Sequence, residues 1–107
     1  MDSHQINVKL NQYINLRDNV SNIISSLNNG SDRIDTANLK INEYYLIDDV
    51  PADNGKISNV KNNINQVRDI LRNSIQPSIE EHINYFRNLL QETVEREEQE
   101  RAEAAAA

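Results

Sequence analysis

Tyr13, Leu16, Val20, Ile23, Leu27, Gly30, Ile34, Ala37, Ile41 and Tyr44 follow one another at alternating steps of three and four residues. That spacing keeps all of them on one stripe of an α-helix and fits neither the alternation of a strand nor a loop. A stripe that repeats every 3.5 residues on average is the seam of a helix packed lengthwise on another helix. Ile6 and Leu10 lead into it, and Gly30 alone interrupts its apolar character. Asn28-Asn29-Gly30 is ordinarily a turn signal. A turn has no reason to preserve the phase on both sides, so the spacing predicts one helix through Gly30, at about 1 kcal/mol for the glycine.

The break comes later. Asp48-Asp49-Val50-Pro51-Ala52-Asp53-Asn54-Gly55 has no helical period; Pro51 biases Val50 away from helix and Asn54-Gly55 is a turn dipeptide. Beyond it Ile57, Val60, Ile64, Val67 and Leu71 resume the three-four alternation, which changes to steps of four through Ile75, Ile79 and Ile83 before Phe86 and Leu90. Such a change relaxes a left-handed supercoil. Pro77 lies within it and cannot donate to the carbonyl of Asn73, so a kink is expected there. The predicted domain occupies residues 1–94: a helix over about 4–47, a loop over 48–55 with its turn at Asp53, Asn54 and Gly55, and a helix over about 56–94 kinked near Pro77. Arms of about 40 residues span roughly 60 Å each and fold back antiparallel when the loop is short. The expected fold is therefore all-α, a long antiparallel two-helix hairpin. Residues 95–107 form a charged, Ala-rich tail, helical or frayed, with little to bury after Val94.

Composition removes several alternatives. With no Cys there is no disulfide, thiol chemistry or Cys-based zinc site. Two Gly and two Pro are too few for a chain of tight β-turns. The polar N-terminus lacks a signal-peptide core, and no run approaches the roughly 20 apolar residues of a membrane span. Net charge is −6, with −4 of it in residues 92–107, and no basic face emerges; nucleic acid is not an expected partner. Seventeen Asn residues lower the intrinsic helix propensity, so packing must supply the order.

Catalytic and metal chemistry find no foothold in the pattern. His4 sits in the terminal segment, and His82 stands beside Ile83 with no second His or paired carboxylate at metal spacing. Asp48, Asp49 and Asp53 lack EF-hand spacing and its terminal Glu. No catalytic residues, cofactor or metal are expected. More apolar positions exist, however, than one hairpin seam requires. Ile14, Ile24, Leu39, Tyr45 and Leu46 lie off the first seam, and Ile70 and Leu89 off the second. Two helices alone make a poor core. These seven residues are the expected partner-binding face, used to complete a four-helix bundle with a second helical hairpin, identical or not.

Two long helices, a short loop and Gly55 near the midpoint resemble the WXG-type (Esx-like) proteins of type VII secretion. The family's Trp-X-Gly turn falls on Asp53-Asn54-Gly55, which keeps the Gly and replaces the Trp. Tyr44-Tyr45, Gly55-Lys56-Ile57 and Ile75-Gln76-Pro77-Ser78-Ile79 look closer to the small helical proteins encoded beside LXG-domain toxins, members of which often lack the Trp. The resemblance implies a targeting chaperone that packs on a toxin's helical LXG domain, cytoplasmic or exported with its partner. The family's export signal is an aromatic residue followed four positions later by an acidic one, after the second helix. It is not found there, since Leu89 follows Tyr85 and Leu90 follows Phe86 at that spacing. Tyr44-to-Asp48 and Tyr45-to-Asp49 have the spacing but precede the loop. The alternative expectation is a self-associating structural coiled coil, such as a phage virion or assembly component.

Overall fold

The computed structural model describes residues 1–48 and 54–106, apart from the side chains of Asn42, residues 44–48 and Asn54. Within those limits the chain is all-α. Helix α1 runs Ser3–Asp48 and passes through Gly30; α2 is Asn54–Ile70; a π-helical turn occupies Leu71–Ile75; α3 is Gln76–Ala106. Of the expected turn, Asn54 and Gly55 open α2, while Asp53 and the rest of 49–53 lie outside the described residues. The chain divides into two compact units, Met1–Asn19 with Gln76–Ala107, and Val20–Ile75.

In the first unit the start of α1 packs antiparallel on α3. Ile6 and Leu10 of α1 and Ile79, Ile83 and Phe86 of α3 are the unit's buried apolar residues, and Ile83 is wholly inaccessible. The inward positions of α3 are Gln76, Ile79, Ile83, Phe86, Leu90, Thr93 and Glu97, again at alternating threes and fours. Thr93 is buried, and the pairing extends past Val94 into the expected tail, where Glu97 meets Ser3.

That end of the unit is built from caps. Asp2 is the N-cap of α1: its Oδ1 accepts from the Gln5 backbone N–H at 2.8 Å, and its own N–H donates to Gln5 Oε1 at 3.1 Å. This reciprocal capping box satisfies two otherwise orphaned donors. Glu97 takes a third. One carboxylate oxygen accepts from the Ser3 N–H at 3.0 Å and the other from Ser3 Oγ at 2.7 Å. A negative charge at a helix N-terminus is also favourable to the helix dipole. The Ser3 hydroxyl and backbone N–H hold the Glu97 carboxyl below its ordinary pKa.

In the second unit the remainder of α1 packs antiparallel on α2. Asn28 meets Arg68, Gly30 faces Ile64 and Asp35 meets Lys61, the residue numbers rising on one helix as they fall on the other. The inward positions of α1 are Val20, Ile24, Leu27, Ser31, Ile34, Asn38 and Ile41; those of α2 and the π-turn are Ile57, Lys61, Ile64, Arg68 and Leu71.

This differs from the seam expected from sequence. Val20, Leu27, Ile34 and Ile41 keep their place, but Ile24, Ser31 and Asn38 replace Ile23, Gly30 and Ala37. On α2, Lys61 and Arg68 likewise replace Val60 and Val67. Ile24, expected on a partner face, is buried inside the hairpin at 7% exposure, whereas Ile23 is 48% exposed. The physical reason is that an apolar pattern marks which stripes avoid water without saying which neighbour covers them. A single partner helix covers one stripe, and α1 offers two that share the 20-27-34-41 row. Lys61 and Arg68 fit the inner edge because their aliphatic stems lie along it while their charged heads reach Asp35 and Asn28.

Within the π-turn the helix takes more residues per turn. Inward positions on its two sides, Leu71 and Gln76, stand five apart instead of the four that the alternation requires. Pro77 follows in the first turn of α3, and Asn73, whose carbonyl it cannot bond, falls within the widened turn. Among the described residues no helix is long and apolar enough to cross a membrane.

Candidate partner-binding surface

The expected partner residues differ in exposure. Ile14 and Leu89 are half-buried and Ile24 is buried. Leu39 is 67% exposed and Ile70 58% exposed. Tyr45 and Leu46 fall in the last turns of α1, with side chains outside those described. Beside Ile70 the structure brings together a set that the sequence seam assigns to the interior.

Its origin is geometric. Ile23, Gly30 and Ala37 repeat every seven residues on α1, each one position before an inward residue; Val60 and Val67 do the same on α2. Two antiparallel helices are related by a two-fold axis perpendicular to their common plane, so equivalent flanking rows emerge on the same side. The contact of Gly30 with Ile64, at 4.0 Å from an ideal Cβ, lies on this side. The polar contacts Asn28–Arg68 and Asp35–Lys61 lie on the other.

The second unit is therefore two-sided. One flank carries Ile23, Ala37, Val60 and Val67, with Ile70 one helical turn beyond Val67, all exposed to water. Beneath them Leu27, Ile34, Ile41, Ile57, Ile64 and Leu71 reach only half-burial. The opposite flank is polar: Asn28, Asp35, Lys61, Asn65 and Arg68 edge it, and Leu39 stands one turn from Asp35. The side-chain oxygens of Asn38 and Asn65 are buried there without hydrogen-bond partners. An apolar surface concentrated on one flank is the mark of an interaction site, whereas scattered exposed apolar residues are ordinary.

Cations border the apolar flank. Arg33 and Lys40 lie one turn from Gly30 and Ala37, beside the apolar flank, and Lys56 lies one turn before Val60. Asp32, Asp35 and Asp69 project to the polar side, where Asp35 accepts from Lys61 at 2.6 Å and Asp69 from Arg68 at 3.1 Å. On α1, at the edge of the apolar flank, Ser26, Asn29, Gly30 and Arg33 line a notch where the glycine lacks a side chain.

In the first unit the notable cluster is aromatic. Tyr13 stacks on His82 with centroids 5.1 Å apart and on Phe86 at 5.6 Å, while Tyr85 meets Phe86 edge to face at 5.1 Å. His82 Nδ1 lies 2.7 Å from the Ser78 carbonyl, which places the ring proton on Nδ1. Lys9 and Glu81 complete the walls of an open groove over these rings. The cluster holds no nucleophile–base pair, and its histidine is the one that stands beside Ile83 in the sequence. Among the described residues no three His, Asp or Glu side chains gather as a metal site.

The sequence could have revealed the capping box, since Asp2-x-x-Gln5 is a recognisable start signal. The Glu97 contact has no local signature, being set by the register of two helices 94 residues apart in sequence. No family model, no curated protein and no solved structure matches this chain.

Proposed function

We propose that the chain is a non-catalytic helical partner that binds the helical LXG domain of a secreted toxin and helps deliver it to a type VII secretion system. The observation that carries the reading is the apolar flank of Val20–Ile75, where Ile23, Val60, Val67 and Ile70 stay exposed over a half-buried row. A hairpin that serves only itself has no use for such a flank, while a bundle of four helices covers it. The resemblance to LXG-associated proteins supplies the identity of the covering chain. If the reading holds, the missing export signal belongs to that chain.

The test is recovery of the tagged protein from the cells that encode it, with mass spectrometry of what stays bound. The expected result is one larger chain with a long helical N-terminal region and a toxin-like C-terminal domain, and loss of secretion of that chain when the gene is deleted. Recovery of the protein alone as a defined oligomer would overturn the reading in favour of a self-associating structural coiled coil.

A further inference from the structure

We infer that the apolar flank of Val20–Ile75 is a docking face for a helix of a different chain whose own apolar stripe is edged by Asp and Glu, with one of its side chains seated in the notch at Gly30. This deepens the partner reading and rests on it for the existence of a partner, but the face and its chemistry come from three independent observations.

The first is the position of the apolar row. Ile23, Ala37, Val60, Val67 and Ile70 lie on one side of the hairpin, above six apolar residues that the hairpin only half-covers. The repeat of seven through Ile23, Gly30 and Ala37 and from Val60 to Val67 fits a helix laid alongside in the same knobs-into-holes geometry. The second is charge. The cations Arg33, Lys40 and Lys56 border this flank, and the acids Asp32, Asp35 and Asp69 are on the other. Two copies joined face to face would set like charges against each other, whereas carboxylates edging a partner helix would meet opposite charge. Complementary edges of this kind choose partners and orientation.

The third is Gly30. A glycine within a helix is unfavourable. Nothing inside the hairpin requires it here, since an ideal Cβ would meet only Ile64 Cδ1 at 4.0 Å, an ordinary contact. The notch beside it opens outward between Ser26, Asn29 and Arg33. A side chain from outside explains a gap that internal packing does not.

Binding is measured on the full-length chain with two synthetic amphipathic helices of four heptads. They share one Leu and Ile stripe; in one the flanking positions are Glu and in the other Lys. The Glu-edged peptide binds and weakens with added salt, and the Lys-edged peptide does not bind. Val67→Asp and Gly30→Leu each lower the affinity about tenfold or more, equivalent to about 1.4 kcal/mol, while Leu39→Asp on the polar flank leaves it unchanged. Gly30→Ala raises the unfolding midpoint of the free protein, and circular dichroism shows all four variants helical. Equal binding of both peptides overturns the charge assignment. Binding lost through Leu39→Asp but kept in Val67→Asp overturns the face. A homodimer that Val67→Asp dissolves replaces the heterologous partner with a second copy. None of these outcomes depends on whether the natural partner is a toxin, which the recovery experiment decides separately.

Discussion

Ile23 and Ile24 are neighbours on one helix, chemically identical, and a single matched pair of substitutions asks which of them the hairpin uses. Ile→Ala removes three carbons in either case, from a side chain 7% exposed at Ile24 and 48% exposed at Ile23. At about 0.8 kcal/mol per buried carbon, Ile24→Ala forfeits about 2 kcal/mol and Ile23→Ala about 1 kcal/mol. The cavity left at the buried site raises the first figure to about 2–3 kcal/mol, because surrounding side chains relax only partly. Both variants gain the same helix propensity, about 0.4 kcal/mol, which cancels in the comparison. Urea unfolding followed by far-ultraviolet circular dichroism, at low protein concentration, therefore places Ile24→Ala below Ile23→Ala by about 1–2 kcal/mol. Equal losses, or a larger loss at Ile23, would show that the seam runs along the 16-23-30-37 row after all. The inference of an outward apolar flank would fall with it. A binding partner reverses the order of importance: in its complex Ile23→Ala is the costlier change to affinity.

Ile83→Ala, at the fully inaccessible centre of the first unit, costs about 2–5 kcal/mol and lowers the thermal midpoint more than either change above. Replacing Asn65, whose side-chain oxygen is buried without a partner, by Leu raises stability by about 1 kcal/mol in the same urea assay. Glu97→Gln removes a carboxylate whose pKa is lowered in the folded state by its bonds to Ser3, so its stabilisation is complete above the ordinary carboxylate range and disappears as pH falls through the lowered value. The stability difference between the parent protein and Glu97→Gln is thus expected to narrow from neutral pH to strong acid. A constant difference would place the effect of Glu97 in packing instead of charge.

The helical class and the passage of α1 through Gly30 follow from the heptad phase, because a period near 3.5 admits few other outcomes, and the antiparallel pairing follows from two long arms joined by a short loop. What the phase could not decide is which of two adjacent rows meets the partner helix. Ile24, Ser31 and Asn38 look less apolar as a row than Ile23, Gly30 and Ala37, and the inner edge is completed by the stems of Lys61 and Arg68, which any hydropathy pattern counts as polar. The π-turn was visible only as a disturbance, the change to steps of four beyond Leu71, since a hydrophobic pattern records phase but not hydrogen-bond span. Of the residues expected to bind a partner, Ile24 turns inward for the same reason, because a hydropathy pattern does not say which of two adjacent rows is internal, while Leu39 and Ile70 are exposed.

The bond between Ser3 and Glu97 has a consequence for the order in which the molecule is made. Ser3 is synthesised 94 residues before its partner, an interval of about 5–20 s at ordinary elongation rates. Until Glu97 is made, the Asp2–Gln5 box is the cap available to the first turn of α1. Nascent α1 consequently exposes both of its apolar rows until α2 and α3 emerge, and the rows become distinguishable only when a second helix selects one. Of all the contacts in the first unit, the Ser3–Glu97 clasp is among the last that translation permits, a seal on a helix pair already in register.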